Sequence, residues 1–274
     1  MASKSNIEWT GHTWNPLAGC SVLTPGCKRC YAMKMAARLE KMGQPLYIGL
    51  TEPSKAGPVW TGEMRQASDE VLLAPLRRKK PTTYFVNSMS DLFHENVPDE
   101  WIYRIFAVMA LSQRHTYQVL TKRSERMREV VARIGKSIEV LERHARSFGW
   151  TLKFEGVGLV PWPLPNVWLG ISAERQQEWD ERKEHLRATP AAVHFASFEP
   201  LLGGIIELGL MSDFLQWAIV GGESGHGYRA MAPEWAYSLR NQCVAAGVPV
   251  FIKQMAGKKP IPADLLVREF PVAA

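Results

Sequence analysis

An α/β fold, with a parallel sheet curled into a full or partial (β/α) barrel, is predicted by three features of this 274-residue chain. Short apolar runs rich in β-branched and aromatic residues recur at intervals. Helical patterns separate them. The runs are also apolar on both faces, as strands are in a sheet covered by helices. Strand–helix–strand units of this kind are right-handed and put their strands in parallel. Strand order is not carried by such a pattern, so a doubly wound open sheet is the alternative. The expectation is one domain over residues 1–274, with a Pro-rich insertion or rigid connector near 150–166, where Val160–Asn166 reads VPWPLPN.

In chain order, a strand leading to Cys20 precedes a helix over Tyr31–Lys41. Arg77-Arg78-Lys79-Lys80 closes a further helix, where cations offset the macrodipole. The first clear strand is Thr83–Asn87. Pro98-Asp99-Glu100 then opens a helix with Trp101, Ile105, Phe106 and Met109 at helical spacing. After the strand Thr116–Leu120, a helix from Ser124 carries Met127, Val131, Ile134, Ile138 and Leu141 on one face. The strand Val167–Ile171 is followed by a highly charged surface helix over Glu174–Arg187. Strands Val193–Ser197 and Trp217–Val220 come next. The last helix runs from Pro233, suited to a first helical position, to Gly247, a natural C-terminal cap, and leads to the strand Val248–Ile252.

With 46% hydrophobic and 22% charged residues, disorder and fibrous architectures are excluded. No apolar stretch approaches the ~20 residues needed to cross a bilayer, and MASKSNIEWTGH lacks the apolar core of a secretory signal. A cytoplasmic protein without a membrane partner is therefore expected. The net charge of +6 suits an anionic partner and equally a solvated basic surface.

Each apolar run stops at polar residues on its carboxyl side: Ser88, Ser90 and Asp91; Lys122 and Arg123; Ser172 and Glu174; Glu199; Glu223 and Ser224; Lys253 and Gln254. Ligands bind at the carboxyl ends of strands in parallel α/β folds, so these residues are candidates for one mouth.

Three of the four cysteines, Cys20, Cys27 and Cys30, fall within eleven residues. In a reducing compartment such a trio is better explained by a metal than by disulfides. Cys27-Lys28-Arg29-Cys30 puts two thiols on one turn, Pro25-Gly26 bends the chain before it, and Lys28 and Arg29 favour thiolates. Cys243 instead lies on the apolar stripe of the last helix with Leu239 and Trp235, where a thiol is a small hydrophobe. A structural zinc would need a fourth ligand such as His12. A cubane iron–sulfur cluster held by three thiolates would leave one iron free for a ligand.

At these residues the chain resembles the radical S-adenosylmethionine superfamily, and more closely the phage protein Gp37/Gp68-like family. The similarity runs through WNPLAGCSVLTPGCKRCY (Trp14–Tyr31), FVNSMSDLFH (Phe85–His94), LTKRSERM (Leu120–Met127), NVWLGISAE (Asn166–Glu174), FASFEPLL (Phe195–Leu202), IVGGESG (Ile219–Gly225) and FIKQ (Phe251–Gln254). Two departures stand out. Six residues separate Cys20 from Cys27 where the superfamily has three, and the aromatic, Tyr31, follows the third cysteine instead of preceding it.

The resemblance implies a barrel of the radical-enzyme type and a [4Fe-4S] cluster on Cys20, Cys27 and Cys30. Its fourth iron would chelate S-adenosylmethionine, whose reductive cleavage gives a 5′-deoxyadenosyl radical. A flavodoxin- or ferredoxin-like electron donor is then expected. Tyr31 is assigned to the cofactor pocket. Ser88, Ser90 and Asp91 are assigned to the cofactor's amino group, and Lys122 or Arg123 to its carboxylate. Ser172, Glu174 and Glu199 compete for the ribose. Gly221-Gly222-Glu223-Ser224 resembles the superfamily's Gly-Gly-Glu element, yet its late position places Glu223 in the substrate pocket. Glu199, Glu223 and Lys253 are the catalytic candidates. Trp9, Trp14 and Tyr31 beside Lys28 and Arg29 suit an unpaired base, so a nucleobase, nucleotide or nucleic-acid substrate is read, against core packing for most tryptophans. The alternative functions are a nucleic-acid-binding accessory protein with a structural zinc, and an iron–sulfur redox module that does not use S-adenosylmethionine.

Overall fold

A computed structural model describes residues 3–152, 161–209 and 213–271. Residues 153–160 of the proposed Pro-rich insertion near 150–166 lie outside the described residues. The elements in chain order are β1 (Ser3–Lys4), β2 (His12–Trp14), β3 (Leu17–Ala18), α1 (Tyr31–Lys41), β4 (Thr51–Ser54), β5 (Gly57–Trp60), β6 (Arg65–Gln66), α2 (Asp69–Leu72), α3 (Ala74–Arg77), β7 (Thr83–Val86), α4 (Asp99–Leu111), β8 (Thr116–Thr121), α5 (Ser124–Lys136), α6 (Glu139–Ser147), β9 (Val167–Ser172), α7 (Gln176–Arg187), β10 (Val193–Phe198), β11 (Trp217–Gly221), α8 (Pro233–Ala245) and β12 (Val250–Gln254).

The main sheet has the order β1-β2-β7-β8-β9-β10-β11-β12. Only β1 is antiparallel, and the seven strands β2 and β7 to β12 run in parallel and follow one another across the sheet in chain order. A doubly wound sheet reverses its strand order at a switch point, and no reversal occurs here. The result is a curled half-barrel flanked by helices and open between β12 and β1.

Alternation along the strands separates two cores. Tyr84 and Val86, Ala196 and Phe198, Ala218 and Val220, and Val250 and Ile252 pack on the helix side. The intervening Phe85, Phe195, Trp217, Ile219 and Phe251 fill the inner face with Trp9 and Trp168. Gly170 is needed there, because a Cβ on it would strike the Phe195 ring.

Three expectations are corrected. The long pattern from Ser124 is two helices, α5 and α6, and Gly135 in α5 makes room for Trp162. The last strand begins at Val250, because Val248 N–H still closes α8 by donating to Cys243 O at 2.9 Å. Helix α7 is no mere surface helix. It buries Trp179, whose Nε1 donates to Leu208 O at 3.1 Å, together with Glu178 and Arg182.

Candidate functional site at the carboxyl ends of the strands

The cysteine segment is the loop that follows β2. Its first part is pinned by β3, which pairs antiparallel with β6, and by Gly19, which bridges to Ser90. Gly19 has φ +101° and its backbone lies against Glu63 O, so a side chain there is excluded twice over. A single 3-10 turn over Pro25–Arg29 then sets Cys27 and Cys30: Cys27 N–H donates to Thr24 O at 2.9 Å and Cys30 N–H to Cys27 O at 3.1 Å. Helix α1 starts directly after Cys30.

All three thiols line one cavity of about 480 Å³. The same cavity gathers the strand-end residues singled out from sequence: Tyr31 from α1; Ser88, Ser90 and Asp91 after β7; Lys122 and Arg123 after β8; Ser172 in β9; Glu199 after β10; Glu223 after β11; and Lys253 in β12. Its wall also includes Trp9, Phe85 and Leu120 from the inner core.

Around Cys20 the polar groups interlock. Arg123 Nη1 lies 3.6 Å from Cys20 Sγ and 3.3 Å from Asp91 Oδ2, while its Nε reaches Glu95 Oε2 at 3.2 Å. Asp91 in turn accepts hydrogen bonds from Thr121 Oγ1 at 2.6 Å and from the amides of Lys122 and Phe93, both at 3.0 Å. The carboxylate and guanidinium assigned to the two ends of S-adenosylmethionine are therefore engaged with each other and with the thiol. Burial pushes the Cys20 thiol up to about 12, with Asp91 adding to the effect and Arg123 opposing it. Burial also raises Cys30, against the Ala32 and Met33 amides and Lys122. The cations beside the thiols are thus Arg123 and Lys122. The chain neighbours Lys28 and Arg29 are exposed, and Arg29 points to Glu223 at 4.0 Å.

Glu174 is not on the cavity wall, which removes it from contact with a ribose. It is fully buried, pairs with Lys122, accepts Thr24 Oγ1 at 2.7 Å and lies 3.7 Å from Arg182. Burial would raise its carboxyl, but Lys122, Thr24 and Arg182 outweigh this and hold it below the ordinary range. Gly26 packs directly on this side chain, leaving no space for a Cβ, and Thr24 Oγ1 lies 3.7 Å from Cys27 Sγ. Lys122, Glu174 and Thr24 together brace the cysteine loop against β8 and β9.

On the opposite wall Lys253 pairs with Glu199, and Ser172 Oγ donates to Glu199 O at 3.1 Å. Glu223 is gripped by Arg229 through its Nε at 3.0 Å and its amide at 2.7 Å; these contacts outweigh burial and lower the Glu223 carboxyl. Arg229 Nη1 also donates to Pro25 O at 2.9 Å, which ties this loop to the cysteine turn. Ser88 Oγ donates to Asn15 Oδ1 at 3.0 Å, Ser90 Oγ donates to Leu17 O at 3.1 Å, and Tyr31 donates its hydroxyl proton to Ser88 O at 2.7 Å.

Sequence reasoning passed over Thr24, Asn87 and Arg229. Asn87 is buried on the cavity wall in the left-handed region, at φ +60°. Its Oδ1 accepts Leu17 N–H at 3.2 Å and its Nδ2 has no partner among the described residues. An Asn closing an apolar strand was the available signal, since Asn tolerates that conformation.

His12 is not brought to the cysteines. Its ring packs 6.0 Å from Tyr84, and burial together with Arg78, Lys4 and Lys80 lowers its pKa. Among the described residues, no three His, Cys, Asp or Glu side chains converge to hold a single metal ion. Zinc requires its ligands ~2.0–2.3 Å from one centre. The three thiols line the cavity. Of the three aromatics near this segment, Trp14 is core, with Nε1 donating to Val71 O at 3.0 Å, Trp9 is the cavity floor, and Tyr31 is exposed.

Residues 4–264 match the family described as "Protein of unknown function (DUF5131)". The chain belongs to this family. The DUF5131 match spans β2 to β12 and so covers both the cysteine loop and every strand end of the cavity. No curated protein and no solved structure matches the chain. Among the described residues of this DUF5131 protein, no helix is long and apolar enough to cross a membrane.

Proposed function

We propose that the protein is an iron–sulfur, S-adenosylmethionine-dependent radical enzyme in which Cys20, Cys27 and Cys30 hold a [4Fe-4S] cluster. The observation that carries this reading is that the three thiols and the strand-end polar residues line one cavity at the carboxyl mouth of a parallel half-barrel. Cluster and cofactor would supply an electron and a hydrogen-abstracting radical; the chain supplies position, charge and exclusion of water.

The protein's own contributions follow from the contacts. Arg123 places positive charge on Cys20 and is itself oriented by Asp91 and Glu95. Lys122, fixed by Glu174 and Ser172, does the same near Cys30. Asn87 Nδ2 has no acceptor among the described residues, and the Ser88 and Ser90 hydroxyls retain acceptor capacity; these three would meet the amino-acid end of the cofactor. Ser172 and Glu199 remain for the ribose. Glu223 and Lys253 stay on the substrate side of the cavity.

Anaerobic reconstitution followed by metal and sulfide analysis tests the ligand set. About four irons and about four sulfides per chain are expected for a cubane cluster. One zinc per chain without iron would overturn the proposal.

A further inference from the structure

Three cations of the cavity wall are already matched by acids, and the acid Glu223 is held by Arg229. Lys122 pairs with Glu174, Arg123 with Asp91, Lys253 with Glu199, and Glu223 with Arg229. Three other lining cations, Arg29, Lys34 and Lys258, have no acid of their own among the described residues, and Arg29 and Lys258 are joined through neighbouring turns. Arg29 has a 45% exposed side chain, and its only acidic neighbour among the described residues is Glu223 at 4.0 Å, which Arg229 already occupies. Lys258 is exposed and makes no ion pair or side-chain hydrogen bond among the described residues.

The turns beside these two cations carry an aromatic ring. Gly227 lies beside the Arg29 guanidinium, which would be 3.9 Å from a Cβ there, and Tyr228 follows it in the chain. The Tyr228 ring packs on Gly257, where any Cβ would collide with it, and Lys258 is the next residue. Gly257 N–H donates to Glu223 O at 2.7 Å, so the two turns are joined. One edge of the mouth therefore runs Arg29, Gly227, Tyr228, Gly257, Lys258. Tyr228 remains 40% exposed. Lys258 sits at φ +56°; it and Asn87 are the two non-glycine residues with positive φ among those described, and both line this cavity. Backbone strain of this kind persists where the surrounding structure imposes it, commonly at ligand sites.

We infer that this edge is a nucleoside-phosphate subsite, in which the base stacks on Tyr228 and the phosphate lies between Arg29 and Lys258. A partly exposed ring on turns that also carry Lys258 and the contact with Arg29, with no unneutralised acid among the described residues beside them, offers both a π-face and two phosphate donors. A cavity of about 480 Å³ is in the range that one drug-sized ligand fills. S-adenosylmethionine would take up most of it, so substrate must be held at the mouth. The assignment of this edge to substrate rests on the enzyme reading above; the binding chemistry does not.

The test is a binding titration of the full chain with thymidine 5′-monophosphate, thymidine, inorganic phosphate and a single-stranded oligothymidylate. The monophosphate should bind about tenfold or more tighter than thymidine or phosphate, with affinity falling as salt rises. Tyr228→Leu and Lys258→Gln should each weaken it about tenfold, while Tyr228→Phe retains it. Tighter binding of the oligothymidylate assigns the site to a strand, and equal binding assigns it to a free nucleotide. Absence of binding to both, thymidine binding as well as its phosphate, or unchanged affinity in the Leu and Gln variants overturns the inference. Cluster content is measured separately, so a chain that loads iron yet fails here refutes only the subsite.

Discussion

Cys243 and Cys20 differ in what surrounds the sulfur far more than in how readily it ionises. Cys243 is fully buried in α8, and burial alone pushes its thiol up to about 12. Cys20 is also pushed up to about 12, but Asp91 and Arg123 act on it in opposite directions, and Cys27 and Cys30 are close enough to interact with it. A metal must displace a proton from either thiol. Cys20 has a cation, two further thiols and a cavity beside it. On the proposed reading, ligand capacity is a property of these neighbours, not of the isolated thiol's acidity.

The largest expected effect sets these two regions directly against each other. Cys27→Ala should abolish iron loading, while Cys243→Ala should leave it unchanged; iron analysis after reconstitution decides between them. Equal loss from both would overturn the division of the four cysteines.

A smaller effect probes the brace behind the loop. Glu174→Gln keeps the shape but leaves Lys122 without its anion. Removing one partner of a buried pair costs roughly 3–5 kcal/mol, and about 2 kcal/mol is expected here because Lys122 retains 19% exposure. The sign of the pH dependence follows from the lowered Glu174 carboxyl. Its contribution is complete above the ordinary carboxylate pKa and is lost as pH falls below that value towards the folded one. Denaturant unfolding across acid pH should therefore show a shallower decline in the Gln variant than in the wild type. Parallel declines would show that the pair does not stabilise the loop.

The strand sequence and its polar strand ends were legible because periodicity and composition are local signals. Each of the six clear strands appears within two residues of its expected position, and α1 matches its expected span. What could not be read were partners across strands. Lys28 and Arg29 are the thiols' neighbours in the chain, whereas Arg123 and Lys122 are their neighbours in space, brought there by β8 lying two strands from β2. Glu174 looked like the start of a charged surface helix, and only the β8–β9 pairing buries it beside Lys122 and Gly26. His12 looked available to the cysteines from its proximity in sequence. Its place in β2 instead sets it against Tyr84 on β7.

The most direct test of the central claim is 5′-deoxyadenosine formation from S-adenosylmethionine by the anaerobically reconstituted, reduced protein. The account predicts product that depends on the chain and disappears in Cys27→Ala but not in Cys243→Ala. A fully loaded protein that forms no 5′-deoxyadenosine, or a Cys27→Ala variant that forms as much as the wild type, would contradict it.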